Sequence, residues 1–188
     1  MDIGTGCGLA GATGVRPFLP PLLAGALARA DADINFTHTP YSFLESPAFL
    51  AAVFAVAVIA YLAERRGAPR RAMAIGLGAI SLALGALLCA GSIAQAHHSS
   101  WWGILVGVAC AALGFAAIAL LFERAARRVT GTARALIDTY AEGIALVLAG
   151  LSIMAPPVGY VALVAFALLI VRARQQGGQK YEGLRILR

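Results

Sequence analysis

The chain has 188 residues, 60% hydrophobic and only 13% charged, with a net charge of +6 and a mean hydropathy of +0.81. A soluble domain is about 45–50% apolar and about 25% charged, and even a 150-residue domain buries only about 70% of its extended surface, so an ordinary soluble fold is excluded. The basic balance does not point to nucleic acid, because the basic residues flank apolar runs instead of forming a stripe interleaved with exposed aromatics.

A bilayer core of about 30 Å needs about 20 apolar residues in a helix, and six candidate segments answer to that. The first runs from Ile3 to Ala28 and is interrupted by Arg16 and by Pro17, Pro20 and Pro21. No basic region precedes it, so it does not read as a cleavable signal peptide. A single broken crossing would put the N-terminus in the cytoplasm, whereas a dip and return at Arg16-Pro17 would put it outside. No Lys or Arg near the N-terminus decides between them, and the single crossing is the preferred reading. The second segment runs from Ala48 to Ala63, the third from Ala72 to Ala94, and the fourth from Trp101 to Phe122. Trp101-Trp102 beside His97-His98-Ser99-Ser100 reads as an interfacial belt. The fifth segment, Ala135–Ala155, and the sixth, Pro157–Val171, would together make a helix about 55 Å long. Pro156-Pro157 supplies the break, since proline lacks the amide donor and clashes with the preceding turn.

Basic residues orient these segments. Arg65, Arg66, Arg70 and Arg71 follow the second, Arg124, Arg127, Arg128 and Arg134 follow the fourth, and Arg172, Arg174, Lys180, Arg185 and Arg188 follow the sixth. These alternate loops are then cytoplasmic, and the expected layout is a transmembrane bundle over residues 1–172 with a basic cytoplasmic tail over 173–188. Gly4, Gly8 and Ala12 in the first segment echo Gly103, Gly107 and Ala111 in the fourth. That is the kind of similarity a 3+3 inverted repeat would leave. Small residues at this spacing also permit close helix approach, inside one bundle or across a homodimer.

Arg16 is the residue most in need of an explanation. It would sit near mid-membrane on a single crossing, where an Arg costs about 2.5–3.5 kcal/mol on insertion scales. Pro17, Pro20 and Pro21 disrupt the turns that follow, and broken helices at membrane depth line a cavity or are buried in protein. Arg16 with Thr13, Gly14 and Pro17 is therefore the candidate anion site, and a structural ion pair is the competing reading. Asp138 and Glu142, four residues apart, are the natural counter-charges or proton carriers. They would equally serve as headgroup-level carboxylates at a helix start. Glu64 with Arg65, and Glu123 with Arg124, read as interfacial ion pairs. Cys7, Cys89 and Cys110 lack metal-ligand spacing and read as small buried hydrophobes. His97-His98 has no partners to complete a metal shell, and the glycosylation pattern at Asn35-Phe36-Thr37 is too common by chance to use. Nucleotide, metalloprotease, serine-hydrolase and dithiol motifs are absent, and Ser81, Ser92 and Ser152 have no helical histidine to pair with. No enzyme, cofactor or metal is expected.

The run Gly14-Val15-Arg16-Pro17-Phe18-Leu19-Pro20 resembles an element of a bacterial multi-pass membrane family known only as a domain of unknown function (family 4126). Ser42-Phe43-Leu44-Glu45-Ser46-Pro47, Ala155-Pro156-Pro157 and the C-terminal stretch from Lys180 to Arg188 resemble further stretches of that family. Val15 and Pro17 stand where Leu and Ala are more usual. The resemblance implies a small cytoplasmic-membrane protein and supplies no catalytic residues. The expected function is a small permease or flippase-like protein, homo-oligomeric, that binds an anionic solute or lipid headgroup at Arg16. A non-transporting scaffold or assembly subunit is the alternative.

Overall fold

The computed structural model describes residues 3–182 apart from 33, 38, 68, 97–99 and 127–131, with the side chains of 70, 123–126, 132–138 and 176–182 outside the description. The described chain is all helical, with α1 over Ile3–Val15, α2 over Leu19–Arg29, α3 over Pro47–Arg65, α4 over Arg70–Gln95, α5 over Ser100–Ala126, α6 over Thr132–Met154 and α7 over Pro157–Glu182. A short 3₁₀ turn, Ser42–Glu45, precedes α3. Among the described residues α3, α4, α5 and α7 are long and apolar enough to cross a membrane, and Thr139–Met154 of α6 is a shorter apolar stretch. This is a membrane protein.

The expected breaks are present. The first segment divides into α1 and α2 around Arg16-Pro17-Phe18, and α6 gives way to α7 at Ala155-Pro156. Pro157 then opens α7 at a position where its missing amide costs nothing. That last helix does not stop near Val171. It continues for 26 residues in all, to Glu182.

The course after the first break departs from the preferred reading. Leu9 and Ala12 of α1 share one buried cluster with Ala24 and Ala28 of α2 and with Leu88, Ala149 and Ile153. In one continuous helix Leu9 and Ala28 would lie about 28 Å apart. Gly25 instead lies against Leu44 and Leu50, and Leu44 with Phe36 covers Gly91. Gly91 is beside Cys89 and Ser92, the residues that touch Gly6. So α2 turns back beside α1, and the pair forms a helical hairpin with both ends at one end of the bundle. That is the end where α4 finishes, α5 begins and α6 turns into α7.

Every residue of α1 from Gly4 to Val15 is buried. A helix enclosed on all sides can be packed this tightly only if its side chains are small, and α1 is IGTGCGLAGATGV. A β-carbon at Gly4 would strike the Pro156 carbonyl, one at Gly8 the Ser152 side chain, and one at Gly14 the Ala111 carbonyl. The neighbours reciprocate, for Gly114 faces the Gly11 carbonyl and Gly159 faces the Gly4 carbonyl. On α5, Gly103 and Gly107 lie against Ala90, Cys89 and Ala86 of α4. The echoing small-residue stripes therefore serve different partners within one chain. They leave no free face there for a homodimer, and α1 and α5 run in the same direction. The connection between α2 and α3 is held by short-range bonds. The Glu45 carboxylate accepts from the Phe36 amide, and Asn35 accepts from the Thr37 amide at 2.8 Å, closing a turn.

Gly114→Val places methyl groups where only the Gly11 backbone fits. It should lower the unfolding midpoint in detergent by several degrees, or prevent folding, in line with overpacking costs of about 1–3 kcal/mol or more. Gly76→Val is the control. A β-carbon at Gly76 meets nothing within 4 Å, so its midpoint should stay near wild type.

Candidate functional site

The hairpin tip is built by missing donors. In a continuing helix the amide of residue 17 would bond to the Thr13 carbonyl, and proline has none to give. The last regular rung is the Arg16 amide to the Ala12 carbonyl at 3.1 Å. The Thr13 carbonyl accepts instead from the Ser81 hydroxyl of α4 at 2.8 Å. The hydroxyl of Thr13 turns back on its own helix and donates to the Leu9 carbonyl at 2.7 Å. Pro20 and Pro21 fall at the start of α2, where proline is tolerated. They also remove the amides that would have served the carbonyls of Arg16 and Pro17. Gly14 seats the tip on α5, with Phe115 and Ala111 directly against its α-carbon.

Arg16 is half-buried, and Pro17 beside it is buried. The Arg16 guanidinium carbon lies 5.7 Å from the centroid of the Phe122 ring. Such a contact contributes about 0.5–2 kcal/mol depending on how dry it is. Phe115 is at the height of Gly14, and Phe122 is about 10 Å further along α5. The side chain thus extends from the tip toward the end of the bundle that carries the arginine-rich loops. The tip thus combines a cationic side chain, a proline-broken helix end and a tight turn, a combination that can receive an anionic group.

Thr13, Gly14, Arg16 and Pro17, neighbours in the chain, all lie at the hairpin tip. Glu142 is not joined to them. Ser152 packs on Gly8, and α6 runs antiparallel to α1, so Glu142 comes within about 5 Å of the height of Arg16 along the bundle. Its side chain is exposed, however, while Ala141, Ala145 and Ala149 take the buried face. Among the described residues it forms no ion pair with Arg16. The side chain of Asp138 lies outside the described residues, as do His97, His98 and the side chain of Glu123. Arg65 lies over the ring of Tyr61 one turn earlier, 5.6 Å from its centroid.

Sequence reasoning missed Ser81 and Phe122. Ser81 carried a faint signal as a hydroxyl buried in an apolar helix. Ser92 and Ser152 carry the same signal yet bond only to their own helix, at the Leu88 and Leu148 carbonyls. Phe122 had no signal beyond its place beside the basic loop. A groove of about 590 Å³ runs along the outer side of α6, lined by Tyr140, Gly143, Ile144, Val147 and Leu151 among others. It is open and lacks the convergent polar groups of a small-molecule site. Among the described residues no cluster of His, Cys, Asp or Glu is arranged to hold a metal ion.

Ser81→Ala strands the buried Thr13 carbonyl and should cost about 1–3 kcal/mol of stability. Ser92→Ala removes only a second bond to a carbonyl that its own helix already serves, so it should cost well under half as much. Unfolding midpoints of the two variants in the same detergent check this.

No curated protein and no solved structure matches the chain. The model of the family described as "Domain of unknown function (DUF4126)" matches residues 3–176, and the chain belongs to that family.

Proposed function

We propose that this member of the DUF4126 family is a small permease or flippase-like protein of the bacterial cytoplasmic membrane, with the tip of the α1–α2 hairpin as its ligand site. The observation that carries the reading is the placement of Arg16. A guanidinium is held half-buried beside a proline-broken helix end, 5.7 Å from the centre of the Phe122 ring. The ligand is an anionic solute or a lipid headgroup. Asp138 and Glu142 remain the candidate proton carriers, Glu142 as an exposed carboxylate at about the depth of Arg16.

Orientation follows from charge and from the hairpin. The loops after α3 and α5 and the chain after α7 carry the arginines, so they face the cytoplasm. Both ends of the hairpin lie at the opposite end of the bundle. On this reading the start of α1 is outside and the end of α7 inside, with the Arg16 side chain reaching toward the cytoplasmic leaflet. Ile3→Cys, at an exposed position, should therefore react with an impermeant maleimide on intact cells. Arg172→Cys should react only after permeabilisation. Labelling in the reverse pattern would refute the orientation.

A scaffold or assembly subunit is the second reading, and one observation favours it. The contacts of Arg16 with Phe122 and of Thr13 with Ser81 already hold the tip in place. Thermal unfolding separates the two readings. Anionic lipids and metabolites, titrated one at a time, should stabilise wild type with a dependence on concentration, by about 2.7 kcal/mol at a hundredfold excess over the dissociation constant. Arg16→Gln should remain folded and lose that response. A flat response in wild type, with Arg16→Gln itself much less stable, would make Arg16 a structural tie and leave the scaffold.

A further inference from the structure

The chain has three cysteines, all free thiols, and they come from three different helices, Cys7 from α1, Cys89 from α4 and Cys110 from α5. All three meet at one point. They share a buried cluster with Ala10 and Ile93, under Val106 and Leu163, and are only 4%, 0% and 5% exposed. Cys7 belongs to the helix that packs on both α4 and α5, so it shares the cluster with Cys89 on one neighbour and Cys110 on the other. The backbones that carry them are unusually close, since a β-carbon at Gly6 would lie 3.3 Å from the Cys89 α-carbon and one at Gly107 2.7 Å from its β-carbon. Packing alone does not call for sulfur here. Alanine and glycine fill equivalent places throughout the same interfaces, and three residues scattered for bulk alone would not all converge.

We infer that Cys7 is the hub of an oxidisable thiol cluster and forms a disulfide with either Cys110 or Cys89, covalently tying the hairpin to α5 or to α4. The oxidant class is a small, neutral, membrane-permeant peroxide, because larger reagents cannot reach thiols this buried. Hydrogen peroxide transfers one oxygen to the Cys7 sulfur, giving a sulfenic acid and one water. The neighbouring thiol then attacks that sulfur. An S–S bond forms, the S–O bond breaks, and the hydroxyl leaves with the second thiol proton as another water. Two electrons pass from the two sulfurs to the peroxide. Cys7 can bond only one partner, so one of the three thiols stays reduced. The bond would fasten the helix that ends at Arg16, and the cluster would thereby fix the position of the proposed ligand site.

The test uses full-length protein in native membranes. Membranes are treated with hydrogen peroxide, unfolded in the presence of one alkylating reagent, then reduced and labelled with a second of different mass. Peptide mass spectrometry should show two of the three thiols protected in wild type, with Cys7 linked to Cys110 or to Cys89. Cys110→Ser should redirect the bond to Cys89, and Cys7→Ser should abolish it in both directions. Gly76→Val, where an added β-carbon meets nothing within 4 Å, should leave the yield unchanged, and the cross-link is read with no anion added, so this inference and the ligand site stand or fall separately. Three thiols that remain free while an introduced exposed Tyr140→Cys is oxidised would overturn the inference. So would a Cys89–Cys110 bond in wild type, or oxidation of single thiols with no cross-link.

Discussion

The architecture rests on enclosing one short helix so completely that almost no side chain larger than a threonine can sit on it. Ile3, exposed at its first position, Leu9 in the cluster beside α2 and Val15 in the last turn before the break are the exceptions. Elsewhere α1 presents backbone to its neighbours, and four longer helices close on it at distances that only paired glycines allow. Little is gained here from the hydrophobic effect in its usual sense, since lipid is as apolar as leucine. What holds such a core is dispersion across many close contacts and the complete satisfaction of its backbone.

That second requirement explains the polar groups. In hydrocarbon an unserved carbonyl costs several kcal/mol, and the prolines that end α1 create such carbonyls deliberately. Ser81 repairs one from another helix. The guanidinium carried by the same turn extends from it to the ring of Phe122. The same prolines thus terminate the helix, reverse the chain and define its chemical character. A single residue type performs three tasks because each follows from one absent N–H.

Much of this was legible in the sequence. Segment positions follow from apolar runs, the two breaks follow from Arg16-Pro17 and Pro156-Pro157, and the grouping of Thr13, Gly14, Arg16 and Pro17 follows from their adjacency in the chain. The return of α2 was not legible. Direction after a break depends on which distant faces the next helix finds, here Leu88, Ala149, Ile153 and the loop residues Phe36 and Leu44. The meeting of Cys7, Cys89 and Cys110 was hidden for the same reason. Spacing rules read ligands that share a helix or a loop, and these three share only a depth. Asp138 and Glu142 were paired with Arg16 on charge alone, yet the outward turn of Glu142 is set by the alanines that fill the inner face of α6.

The enclosure of α1 also has a consequence for how the protein is made. This helix leaves the ribosome ahead of every partner that surrounds it. Its walls include Ser152, Pro156 and Gly159, which are synthesised more than 130 residues later. At 13 residues it is too short to cross a bilayer alone. The packing of α1 is therefore complete only once α6 and α7 have been made. A chain truncated before α7 would leave the glycines of α1 without the Pro156 and Gly159 backbone that packs on them.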